Sequence, residues 1–151
     1  MKHVKYFAYG SNMNIVRMRE RGIRFSKREW AVLEGYRLVF NKIASRNRME
    51  GYANIVEDRG NYVEGILYDI ADEDLKKLDK YEGYPQHYDR KKLKVRLVNG
   101  ETVKAVVYVA QQEMTSDELK PSKDYLNHLL KGCDLLSKKY CEKLKNVETI
   151  D

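Results

Sequence analysis

The stretch Tyr6-Phe7-Ala8-Tyr9-Gly10-Ser11-Asn12-Met13 comes almost at the start of a chain of 151 residues. Val4 to Tyr9 is rich in β-branched and aromatic residues and reads as a strand. Asn14 to Arg21 carries Ile15, Val16 and Met18 among charges, stops at Gly22, and reads as a short helix. Between them Gly10 is expected to turn the backbone at positive φ, where a Cβ would clash, and Ser11 or Asn12 to cap the helix. Such a turn leaves backbone N–H groups pointing into open space, with the partial positive charge of the helix end behind them. An anion fits there. The turn is too short for a P-loop and lacks its Lys, so a carboxylate or one small phosphate is expected rather than a nucleoside triphosphate.

Downstream, the strand candidates are Trp30 to Leu33, Tyr36 to Asn41, Gly51 to Glu57 and Tyr62 to Ile70, with Asp58-Arg59-Gly60-Asn61 as a turn. Gly65 marks a bulge or a close backbone approach. Lys42 to Arg48 is basic and polar and reads as a loop. A helix follows: Asp72 can cap it, Leu75, Leu78 and Tyr81 recur at helical spacing, Gly83 ends it and Pro85 prevents its resumption. Lys91 to Val98 alternates apolar and basic residues as a half-buried strand, Asn99-Gly100 suits a two-residue type I′ turn, and Thr102 to Ala110 is the return strand. Helices at Ser122 to Lys131 and Ser137 to Lys145 complete the chain. The order is α+β in a single domain, 1–151.

Glu82 stands out among the acids. It falls in the last helical turn, where the dipole disfavours negative charge, with Tyr81, Tyr84 and Tyr88 close in sequence. Burial among rings would raise its pKa further, toward general-base duty. Glu64 and Glu57 read as solvent-facing strand residues, and Glu20 as a partner of Arg17 or Arg24.

The octet resembles the entry motif of the γ-glutamylcyclotransferase family. Lys80-Tyr81-Glu82-Gly83-Tyr84-Pro85 resembles the family's segment with the catalytic Glu-Gly. Pro121-Ser122-Lys123-Asp124-Tyr125 and Tyr140-Cys141-Glu142-Lys143-Leu144-Lys145 resemble its C-terminal helices. The match runs in order from about residue 4 to residue 148. It implies a small mixed β-barrel with helices packed around it, and release of 5-oxoproline and a free amino acid from L-γ-glutamyl dipeptides with Glu82 as general acid and base; the alternatives are a cyclotransferase of the same fold acting on a γ-glutamylamine or a γ-glutamyl carrier, and a non-catalytic member that binds a small ligand. It implies a substrate pocket lined by Tyr6, Phe7, Ala8, Tyr9, Gly10, Ser11, Asn12, Tyr88, Tyr108 and Tyr125. It implies no metal or other cofactor and makes a homodimer plausible. The branch acting on glutathione ends its first motif differently (Gly-Ser-Leu), which disfavours glutathione itself.

Composition narrows the partners. Charged residues make up 34% and the net charge is +6, which favours acidic ligands. The Lys and Arg are spread along every element and no RNA-binding signature appears, so nucleic acid is not expected. No apolar run reaches the ~20 residues of a membrane span, and no secretory signal is apparent, so a cytoplasmic location is the default. Cys133 and Cys141, eight apart in a helical region, would be ~12 Å apart on one helix, so two free thiols are expected.

Overall fold

A run of β-rich sequence does not need a break at every glycine, and this chain uses two glycines to keep strands going. The computed structural model describes residues 2–151. Its strands are β1 (His3–Ala8), β2 (Phe25–Ile43), β3 (Gly51–Ala71), β4 (Tyr88–Leu97) and β5 (Thr102–Ala110). The sequence reading divides β2 at Gly35 and β3 at Gly60, but each is one long strand. Gly35 and Gly60 both take positive φ (86° and 89°). Opposite one another, they let the pairing jump from Tyr36↔Glu57 to Glu34↔Tyr62. The strands bend there and continue, as a bulge allows.

The five strands close into a barrel in the order β1-β3-β2-β4-β5. Neighbours are antiparallel except at the seam, where β1 meets β5 in parallel at Tyr6↔Val106. Phe7, Tyr68, Ile66, Leu67, Leu33 and Ile55 are almost wholly buried, on the two faces of the sheet in turn, and burying a large apolar side chain is worth about 1.5–3 kcal/mol. Gly65 is where β1 presses on β3: a Cβ there would lie 2.5 Å from the Ala8 carbonyl oxygen. The β4–β5 turn is not type I′. The Gly100 N–H bonds the Leu97 carbonyl, and the Leu97 N–H bonds the Glu101 carbonyl. Gly100 has φ 90°, and Asn99 is not among the residues with positive φ. That is a three-residue loop closed by a glycine in the left-handed region.

Helices α1 (Ile15–Glu20), α2 (Leu75–Glu82), α3 (Lys123–Leu130) and α4 (Lys138–Lys145) pack around the barrel. The Asn14 side chain, not Ser11 or Asn12, caps α1. Asp72 to Asp74 forms a 3-10 turn before α2, and Asp72 caps nothing. Gly83 ends α2 with φ 69°. Ser122 and Ser137 cap α3 and α4.

Three further expectations are overturned. Arg24 pairs with Asp74 and Glu73, and Glu20 has no ion pair among the described residues. Glu64 is buried, because the start of α4 covers it: it accepts from the Trp30 indole N–H (2.8 Å), the Ser137 N–H (2.8 Å) and the Ser137 hydroxyl (2.6 Å). Cys133 and Cys141 form a disulfide, with Cα atoms 5.9 Å apart. They do not share a helix. The chain turns back between α3 and α4, so eight residues close a loop instead of spanning a rod.

Candidate active site

The octet leaves β1 at Ala8 and crosses the barrel mouth as a short 3-10 turn, Ser11–Met13. Gly10 has φ −116°, so positive φ is not what requires glycine here. Space requires it: a Cβ would meet the Ala53 Cβ at 3.2 Å and the Tyr125 hydroxyl at 3.4 Å. Among the described residues, the backbone N–H groups of Gly10, Ser11 and Asn12 donate to no protein acceptor. Helix α1 is six residues long and starts later, so what the turn offers is these bare N–H groups rather than a helix dipole.

Asn12 is spent on architecture. Buried, it donates to the Tyr6 hydroxyl (3.0 Å) and accepts from the Arg21 guanidinium (3.0 Å), while its carbonyl accepts from the Tyr68 hydroxyl (2.8 Å). Several tyrosine hydroxyls also have fixed partners. Tyr9 donates to the Tyr108 carbonyl and Tyr88 to the Ala53 carbonyl. Tyr125 accepts from the Ala53 N–H at 3.0 Å, which leaves its own proton to give. Tyr108 donates to Asp79 on α2 at 2.7 Å and so latches β5 to the helix that ends in Glu82.

A cavity of about 380 Å³ opens at this mouth, lined by Ser11, Glu82, Tyr88 and Tyr125 together with basic side chains. A crevice of about 30 Å³ behind it shares those four residues and adds Tyr6, Phe7, Tyr9, Gly10, Asn12 and Tyr108. Of the residues expected at a site, Ala8 alone lines neither: its side chain is buried in the hydrophobic core. Glu82 and the Gly10–Asn12 turn thus meet across 70 residues of sequence.

Among the described residues the Glu82 carboxylate has no hydrogen-bond partner. Burial pushes its pKa above the ordinary glutamate value, against the opposing pull of Arg21, Arg17 and Lys42. Burial likewise holds Tyr6, Tyr9, Tyr88 and Tyr125 protonated. The arrangement offers one proton-accepting carboxylate beside bare N–H donors and neutral hydroxyls. No His, Cys, Asp and Glu side chains gather in threes at metal-holding distance among the described residues.

The family described as gamma-glutamyl cyclotransferase, AIG2-like, matches residues 6–127. The chain belongs to that family. A Drosophila melanogaster protein provisionally named as a gamma-glutamylcyclotransferase is 36% identical over 50 residues, 33% of this chain and 32% of that one. A second provisionally named gamma-glutamylcyclotransferase, from Methanocaldococcus jannaschii, is 31% identical over 62 residues, 38% of this chain and 52% of its own. The chain thus matches about a third and about half the length of these two relatives. A solved gamma-glutamyl cyclotransferase superposes with a TM-score of 0.86 at 26% identity, covering 99% of this chain and 90% of its own.

The cyclotransferase barrel also exposes what sequence reading missed. Arg17, Arg21, Lys42, Arg46, His87 and His128 all line the cavity. Lys42, expected in a loop, is the buried end of β2. Its ammonium donates to the Ile43 carbonyl and lies 2.9 Å from the His87 Nδ1, above the Tyr52 and Tyr88 rings. The segment after it is pinned, with Glu50 buried against Arg46 and the Ser122 hydroxyl. No local motif announces these cations; the i, i+4 spacing of Arg17 and Arg21 on one helix face was the available signal. No helix is long and apolar enough to cross a membrane.

Proposed function

We propose that this protein is a γ-glutamylcyclotransferase acting on L-γ-glutamyl dipeptides, releasing 5-oxoproline and a free amino acid. The observation that carries the reading is the Glu82 carboxylate, half-buried and, among the described residues, without a protein partner, lining the same crevice as the Gly10 to Asn12 turn with its bare N–H groups. Glu82 takes a proton from the substrate's α-ammonium. The freed amine attacks the γ-carbonyl carbon five atoms round the ring, and holding that folded conformer is most of the catalytic task. The carbonyl oxygen becomes an oxyanion, and N–H groups aimed at that charge lower the barrier. Glu82 then returns the proton to the departing nitrogen as the amide C–N bond breaks, and accepts the surplus proton of the ring nitrogen, which passes to the released amine as its ammonium, so one carboxyl serves every transfer and no electron acceptor is needed. Raising its pKa toward neutrality suits this double duty. Tyr125, with a hydroxyl proton to give beside Gly10, adds a fourth donor to the three N–H groups.

A small-molecule γ-glutamyl substrate and a cytoplasmic setting, with neither nucleic acid nor membrane as partner, belong to the same proposal. The test is to incubate the protein with a panel of γ-glutamyl dipeptides and γ-glutamylamines and to assay 5-oxoproline. Formation from the dipeptides supports the reading. Silence across the panel leaves a small-acid-binding member of the family as the better account.

A further inference from the structure

The larger cavity carries more positive charge than its own acids can use. Arg17, Arg21, Lys42 and Lys80 line it. Among the described residues none of the four pairs with a protein carboxylate. The fifth cation, Arg46, is already matched by Glu50. The acids on the walls are Glu82 and Asp124, so four free cations face two carboxylates, an excess of two positive charges.

These cations are held in place. Arg21 is fixed by its bond to Asn12 and by the Tyr81 ring, 4.6 Å from its guanidinium carbon. Arg17 sits one turn earlier on α1. Lys42 is fixed by Ile43 and His87. Partly buried positive charges without counterions are costly to keep, and a ligand that brings the missing negative charge relieves that cost.

The chemistry of the substrate then decides which ligand matches. On the cyclotransferase reading, on which this inference rests, the glutamyl end brings an ammonium for Glu82 and one carboxylate. A compound that releases a neutral amino acid carries one net negative charge; one that releases aspartate or glutamate carries two. We propose that the preferred substrates are γ-glutamyl compounds whose departing amine is itself acidic, with at least two carboxylates, selected by the Arg17, Arg21 and Lys42 side chains over the larger cavity. The reaction is unchanged: the amide C–N bond breaks, the new ring C–N bond forms, and the departing nitrogen leaves with the proton from Glu82.

Binding tests the selection apart from turnover. γ-Glutamyl-aspartate, γ-glutamyl-alanine and γ-glutamyl-butylamine are titrated calorimetrically into the full-length Glu82→Gln protein. The aspartate compound should bind about tenfold or more tighter than the alanine compound, with the butylamine compound weakest and the differences shrinking in salt. Arg17→Gln in the same background should erase most of the aspartate preference, and Arg17→Lys should keep part of it. The exposed Lys80→Gln should trim it without threatening the fold. Equal affinity for the two dipeptides, or Arg17→Gln weakening both alike, overturns the proposal. Wild-type 5-oxoproline formation, assayed alongside, separates the two readings. A flat affinity ranking with active turnover removes the charge selection alone. An intact ranking with no 5-oxoproline removes the cyclisation and keeps a site for acidic γ-glutamyl ligands.

Discussion

Glu64 and Glu82 are both acids set beside aromatic side chains, Trp30 for the first and Tyr88 and Tyr125 for the second, and they are treated in opposite ways. Glu64 accepts three hydrogen bonds, from Trp30 and twice from Ser137. Glu82 accepts none from the described residues and faces a cavity instead. The first acid ties α4 to the barrel, because every bond it makes joins two elements. The second is held in place by its neighbours but left chemically idle by them. A carboxylate left without partners at a cost in stability is one available to a ligand.

The sharpest way to break this contrast is Glu82→Gln. It keeps the shape and removes the proton acceptor, so 5-oxoproline formation should fall by about 10²–10⁴-fold. The fold should not suffer. A carboxyl whose folded pKa is raised binds its proton more tightly folded than unfolded, so the folded state loses stability as pH rises through that range. Thermal melts at neutral pH should therefore show the variant no less stable than wild type. A variant that kept full turnover would move the base elsewhere.

Glu64→Ala should do the reverse. It strands the Trp30 and Ser137 donors, each costing about 1–3 kcal/mol when buried without a partner. Denaturant titration should show that loss, while turnover per folded molecule stays near wild type. Loss of turnover with stability intact would reverse the roles given to the two acids.

Smaller effects sharpen the electrostatics. The acid limb of the kcat/KM profile should lie above the ordinary glutamate range, since burial raises Glu82. Arg21→Gln removes the leading opposing pull and should move that limb to higher pH; a shift downward would show that another group sets it. Asp74 offers the structural counterpart. Its bonds to Arg24 hold its pKa at about 2, below the ordinary 3.8. That stabilisation is complete above about pH 4 and lost as pH falls through 2. It is worth about 1–2 kcal/mol once the exposure of Arg24 is allowed for. Asp74→Asn should flatten the stability–pH curve in that window alone.

The same contrast explains what the sequence could show. Local chemistry was legible: Gly83 ending α2, helices beginning at Ser122 and Ser137, the β1–turn–α1 order, and Glu82 as the unusual acid. So was the barrel, through the family resemblance. Partnership was not legible where it joined distant elements. Glu64 reads as exposed because strand alternation says nothing about α4 covering the outer face. Arg17 reads as a helix-surface ion pair because its cavity is assembled by β2, α2 and α3. Cys133 and Cys141 read as free because eight residues were counted along a helix that in fact turns back. Gly10 reads as a φ requirement, whereas Ala53 and Tyr125, which crowd it, lie far along the chain.

The parallel seam between β1 and β5 sets the order in which the molecule can be made. Tyr6 finds its seam partner Val106 a hundred residues later. The long β2–β3 ribbon forms from residues close in sequence, and such local contacts come first. The octet is therefore synthesised well before β5 and receives its last barrel wall only once β5 has followed it. Chains halted just before Thr102 should keep strand signal by circular dichroism but bind no γ-glutamyl compound. Completion of the site, rather than completion of secondary structure, is what β5 and the residues after it supply.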